Sequence, residues 1–123
     1  MCGIAGIVGR VSSSDRSVVE LMNAIQSYRG PDRDKVYEYD GAVLGHRRLS
    51  IIDLDDRASQ PMKSNDKRYV IILNGEIYNY KEIKTELRNQ YDFKTESDTE
   101  VLLAAYIIWG NDCLLKFIGM FSL

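Results

Sequence analysis

The chain has 123 residues, 45% of them hydrophobic, and sixteen Lys and Arg set against eighteen Asp and Glu leave a net charge of −2. That length suits one modest domain with its own core rather than two of ordinary size, and a chain with only two prolines and abundant Tyr, Ile, Leu and Val is not expected to be disordered. There is no surplus of cations to neutralise a phosphate backbone, so nucleic acid is not an expected partner. No apolar stretch approaches the roughly 18 residues that span a bilayer, and the start of the chain lacks the basic region of a secretory signal. No membrane association is expected, and a reducing cytoplasm fits two cysteines, Cys2 and Cys113, that share no CxxC motif. With His46 the sole histidine, no metal site is expected either.

In chain order, residues 3 to 8 read as a buried strand punctuated by glycine. The polar cluster Ser12 to Asp15 then precedes Val18, Leu21, Met22 and Ile25, whose spacing of three and four predicts an amphipathic helix with that stripe as its apolar face. Val36, Tyr37 and Tyr39 are followed by Asp40-Gly41 and by Val43-Leu44, the pattern of a hairpin with a tight turn. Residues 46 to 54 mix cationic and aliphatic side chains, and Asp55 to Lys67 reads as a surface loop. Tyr69 to Leu73 predicts a buried strand ending at Asn74-Gly75, and Ile83 and Leu87 mark a helix from about Tyr80 to Asn89. Ser97-Asp98-Thr99-Glu100 has the form of a capping box ahead of the apolar run Val101 to Trp109, which Gly110 should stop. The segment Ile118 to Leu123 is apolar and strand-like, an unusual way for a finished domain to end.

Four places could carry chemistry. If Met1 is removed, Cys2 bears both a thiol and a free α-amine with a reference pKa of about 7.7–8.0, so nucleophile and base share one residue; alternatively it is only a small apolar residue opening a strand. Asn74 and Gly75 could aim an amide and an N–H at one oxyanion, or form a plain turn. Arg48 could pair with a substrate carboxylate, or be a solvated strand charge. Asp98 could take an ammonium group, or serve only its helix start. His46, Tyr106, Trp109 and Cys113 read as structural.

The blocks Met1-Cys2-Gly3-Ile4, Arg29-Gly30-Pro31-Asp32, Gly45 to Leu54, Gln60-Pro61-Met62, Asn74 to Tyr80, Ser97 to Glu100 and Gly119-Met120-Phe121 occur in that order along the whole chain. This pattern resembles the N-terminal glutaminase domain of the glutamine-hydrolysing asparagine synthetases, class II glutamine amidotransferases of the N-terminal-nucleophile hydrolase type. The resemblance implies an α+β fold, an αββα sandwich of antiparallel sheets. It implies Cys2 as nucleophile with its α-amine as base, and Asn74 and Gly75 as the oxyanion hole. Arg48 would hold the glutamine carboxylate, Asp98 and the Glu76 segment its ammonium end, and Leu49, Ser50, Ile51 and Ile52 would line the pocket.

The same resemblance implies L-glutamine as substrate and a synthetase domain as the acceptor of ammonia for amidation of aspartate. ATP and Mg²⁺ would belong to that further domain, leaving no cofactor in this chain. Such glutaminase domains extend well past Gly-Met-Phe, so the sandwich is expected to be truncated at its C-terminal end. Uncovered sheet edges would then favour homo-oligomers, and a catalytically silent assembly piece is the alternative function. The chain departs from the family pattern at Tyr28, where His is frequent, at Arg33-Asp34-Lys35, where Gly is frequent, and at Ser59.

Overall fold

The first strand, β1 (Gly3–Val8), opens the chain in a computed structural model that describes residues 2–123; it is not buried throughout as expected, since Gly6 and Val8 are exposed. Helix α1 (Asp15–Ile25) follows, then the hairpin of β2 (Arg33–Tyr39) and β3 (Ala42–Arg48), turned at Asp40-Gly41 as expected. These strands form an antiparallel sheet in the order β1-β3-β2, with Gly3 opposite Arg47 and Ile4 opposite His46. Side chains alternate across a strand. Ala5 and Val43 meet Val19 of α1 on one face, while His46 leaves the other face and contacts the Leu73 carbonyl at 3.1 Å.

Leu73 belongs to a second layer. It contains the two-residue strands β4 (Met62–Lys63) and β5 (Val70–Ile71), and the pair β6 (Asn74–Ile77) and β7 (Gly119–Ser122), both antiparallel. Lys63 Nζ sits 3.7 Å from the centre of the Tyr37 ring, a further contact between the two sheet layers. On the far side lie α2 (Tyr80–Leu87) and α3 (Asp98–Trp109). Met62, Ile71, Leu73 and Ile77 pack on Leu102 and Leu103 of α3. Ile83 and Leu87 pack on its Val101, Ala104 and Ala105, which is why α3 is apolar nearly all round. Helix, sheet, sheet and helices thus stack in the α+β, αββα order expected.

Four further local expectations change. The stripe Val18, Leu21, Met22 and Ile25 is not the buried face of α1: Val19 is 0% exposed and Asn23 is buried, while Leu21 is 63% exposed. Gly45 beneath the helix leaves a close seat, where an added Cβ would come within 3.0 Å of Val19 and 3.3 Å of Asn23, so the small face of α1 docks and the bulky stripe turns outward. The segment Asp55 to Lys67 is not a surface loop, because Ala58, Gln60, Met62 and Ser64 are buried and β4 lies within it.

The capping box is only half made. Ser97 accepts from the Glu100 N–H at 3.2 Å, but the Glu100 carboxylate turns to Lys94 N, Thr95 N and Thr95 Oγ1 at 2.6–2.9 Å. Asn74-Gly75 is no turn but the start of β6, paired with β7. Gly75 is obligatory there, since a Cβ would fall 2.2 Å from the Met120 carbonyl oxygen. Asn79, just before α2, holds the approach to β7 instead of capping the helix: its amide donates to Lys116 O and accepts from Ile118 N–H, each at 2.9 Å.

Two measurements check this architecture. Val19→Ala should cost about 1.6 kcal/mol or more, two methylene equivalents plus a cavity, whereas Leu21→Ala should stay within about 0.5 kcal/mol, both read by denaturant unfolding. Burial pushes the His46 pKa down to about 4, with the Arg48 charge acting in the same direction and the bond to Leu73 opposing. The unfolded chain therefore binds a proton that the folded chain refuses between pH 6.5 and about 4. Stability should fall by about 3 kcal/mol as pH drops through that window, and His46→Gln should flatten that part of the profile.

Candidate active site

The Arg29-Gly30-Pro31-Asp32 segment ties Cys2 to the end of β3. Arg29 Nε donates to the Cys2 carbonyl at 3.0 Å. Gly30 lies so close to the Arg47–Arg48 peptide that a Cβ would sit 2.4 Å from the Arg47 carbonyl. Asp32 N–H donates to Arg48 O at 3.1 Å, and its carboxylate accepts from Ser50 N–H at 2.7 Å. The end of β3 and the loop after it are thereby fixed beside Cys2, whose Sγ accepts from Leu49 N–H at 3.4 Å. The motif was visible in the sequence, yet nothing in a single Arg or Asp there says that it serves Cys2 across 27 residues.

Cys2 lines a cleft of about 280 Å³, near the lower end of metabolite-sized pockets. Of the residues singled out from sequence, Arg48, Leu49, Ile51, Ile52, Gly75 and Glu76 line it as well. Ser50, Asn74 and Asp98 do not. Ser50 is tied back to Asp32, and the Asn74 Oδ1 is buried with no hydrogen-bond partner among the described residues. Asp98 Oδ2 accepts from Ile77 N–H at 3.2 Å, so its carboxylate is tied to β6. Lining residues that sequence reasoning passed over are Gln60, Tyr78, Ser97, Thr99 and Met120.

Arg48 is 5% exposed. Its Nη1 donates to Asp55 O at 3.0 Å and its Nη2 to Ile52 O at 3.2 Å and to Asp53 O. The guanidinium has five N–H groups, and Nε–H and one N–H of Nη1 have no partner among the described residues, which leaves them for a ligand. The loop it supports is also held by Asp53, whose carboxylate accepts from Glu96 N–H at 2.7 Å. That bond chiefly holds the Asp53 pKa down. The Asp98 pKa moves the other way, raised first by burial and further by the Glu76 charge, against the N–H groups of Ile77 and Thr99.

A second, polar cleft of about 280 Å³ shares Arg48 and Gln60 with the first and is otherwise lined by Arg33, Asp34, Lys35, His46, Asp56 and Ser59. The sequence departures at 33–35 and 59 therefore gather at this neighbouring cleft, where Arg33 pairs with Asp56 at 2.5 Å and Arg47 with Asp34 at 3.3 Å. Tyr28 is exposed. Among the described residues no group of three or more His, Cys, Asp or Glu is placed to hold a metal ion.

The chain matches the model of a glutamine amidotransferase domain over residues 1–123. It is 40% identical over 127 residues to asparagine synthetase [glutamine-hydrolyzing] 1 of Bacillus subtilis, aligning 99% of this chain with 20% of that protein. Asparagine synthetase B [glutamine-hydrolyzing] of Escherichia coli and the asparagine synthetase [glutamine-hydrolyzing] of Zea mays are each 38% identical over 125 residues, with 99% of this chain aligned to 22% and 21% of theirs. The chain thus spans about a fifth of the length of the curated relatives it matches. With the match covering every residue, the chain belongs to the glutamine amidotransferase domain family.

Proposed function

We propose that the chain is a glutaminase unit, hydrolysing the side-chain amide of L-glutamine to glutamate and ammonia. The observation that carries this is the single cleft joining Cys2 to Arg48, Gly75 and Glu76. With Met1 removed, the α-amine of Cys2 takes the thiol proton as sulfur attacks the amide carbon. The carbon–nitrogen bond breaks, the proton passes to the leaving nitrogen, and ammonia departs from a thioester. Water then attacks the thioester carbon and the thiol is restored. Gly75 N–H and the Asn74 side chain stabilise the oxyanion, donors of a kind worth about 2.7–4 kcal/mol each. The free N–H groups of Arg48 take the glutamine carboxylate, Asp98 and the Glu76 segment its ammonium group, and Leu49 to Ile52 the chain between.

The relatives' names, glutamine-hydrolysing asparagine synthetases, support asparagine synthesis as the destination of the ammonia; a synthetase domain that uses ATP and Mg²⁺ to amidate aspartate, with no cofactor in this chain, is part of the proposal. No helix among the described residues is long and apolar enough to cross a membrane, and a cytoplasmic setting is part of the proposal. A second function, a silent assembly piece that forms homo-oligomers, is favoured by the exposed apolar side chains Ile118, Met120 and Leu123.

The two are separated by incubating the folded, Met1-free protein with the glutamine analogue diazo-oxo-norleucine and locating the adduct by mass spectrometry. Labelling at Cys2 that glutamine suppresses is the expected result, and folded protein that stays unlabelled selects the assembly piece. Asp98 provides a further check. Its raised pKa means that the ionised carboxylate costs stability above the folded pKa, a cost relieved as pH falls through it. Asp98→Asn should therefore melt higher than the parent at pH 7, with the difference shrinking in acid. It should also need about tenfold more diazo-oxo-norleucine for half-maximal labelling, the loss of one charge-assisted contact.

A further inference from the structure

Gln60 is 7% exposed and lies between the two clefts. Its amide reaches two different elements: Nε2 donates to Thr99 Oγ1 at 3.0 Å, and Oε1 accepts from Leu73 N–H. The amide orientation is dictated by its partners, because a backbone N–H can only donate and so must face the oxygen. Leu73 immediately precedes Asn74 and Gly75, and Thr99 immediately follows Asp98. One buried amide therefore joins the strand that faces Cys2 to the start of α3. Having accepted from Gln60, the Thr99 hydroxyl keeps its own hydrogen to give, and Asp98 Oδ1 lies 3.5 Å away, at the long end of a hydrogen bond.

Besides this hydroxyl on Oδ1, the Asp98 carboxylate is met by the N–H of Ile77 on Oδ2 and by the N–H of Thr99. The backbone fixes one side of the carboxylate, and the Thr99 hydroxyl, oriented by Gln60, is the adjustable contact on Oδ1. We infer that Gln60 is a positioning residue for the amine end of the substrate, acting through Thr99 on Asp98 while its other end holds Leu73 and the segment that follows. This rests on the glutaminase function proposed above. Without the Nε2 donor, Thr99 is free to turn its hydrogen toward residue 60 and away from Asp98, and selectivity for an α-ammonium group should fall.

The test compares two probes on the full chain: diazo-oxo-norleucine and its counterpart lacking the α-amino group, each followed as the rate of Cys2 alkylation against concentration. Gln60→Glu keeps the side-chain shape and the acceptor for Leu73 but removes the donor to Thr99. Half-saturation by the amino probe should rise about tenfold while the maximal rate changes less than about threefold. The des-amino probe should be unmoved. Thr99→Val leaves the Gln60–Leu73 bond intact and should reproduce the amine-selective loss even if the Gln60 variant does not fold. The double variant should be no worse than Thr99→Val alone, since both changes break one chain of contacts.

Equal losses with both probes, no loss, or additive effects in the double variant would overturn the positioning role. An unsubstituted chain that is not alkylated at Cys2 overturns the glutaminase function itself, and this inference with it.

Discussion

The hydrogen bond from Arg29 Nε to the carbonyl of Cys2 meets a constraint on which the site depends: a residue one step from the chain terminus has to be held still. Chain ends fray unless something ties them down. Here β1 is laced to β3 along its whole length, and Arg29 adds a tie at the position where the ladder gives out. Gly30 and Asp32 then bring the Arg47 to Ser50 backbone alongside, so that the thiol rests against Leu49. The cysteine that the sequence offers as a candidate nucleophile is thus held in place by the Arg29–Asp32 segment.

Around that anchor the protein buries an unusual amount of polarity. His46, Arg48, Gln60, Ser97, Asp98, Thr99 and Glu100 are all buried. Unpaired, such groups would each cost free energy comparable to a lost hydrogen bond or more. Most are bonded: Glu100 to three donors from Lys94 and Thr95, Arg48 to loop carbonyls, His46 to Leu73. Two groups next to cleft-lining residues fare less well. Asn74 Oδ1 has no partner among the described residues, and burial disfavours the charge of Asp98.

Much of this was legible beforehand, and the parts that were not share a cause. The hairpin at Asp40-Gly41, the helix ended by Gly110 and the strand near the C-terminus follow from local chemistry that one stretch of chain carries by itself. Cys2, Arg48, Gly75 and Glu76 were legible as a set only through the ordered motif blocks, since each alone had an equally good structural explanation. The errors arose where a distant element decides. Spacing named Leu21 and Ile25 as the core face of α1, but the glycine of β3 under the helix made room for Val19 and Asn23 instead. Asn74-Gly75 has turn chemistry, and β7, more than forty residues away, recruits it into a strand. Gln60 looked like loop because nothing in its neighbourhood announces that Leu73 and Thr99 will close over it.

The β6–β7 pairing has a consequence for how such a site can drift through mutation. Gly75 faces the Met120 carbonyl and the Phe121 Cα, and Gly119 in turn faces the Glu76 carbonyl, so the tight fit is main chain against main chain on both strands. Side-chain identity at 120 and 121 is thereby uncoupled from the spacing of the strands, while positions 75 and 119 tolerate no Cβ at all. The rim of the cleft can be rewritten at Met120 to suit a different neighbour or ligand, and the geometry of the strand facing Cys2 would not register the change.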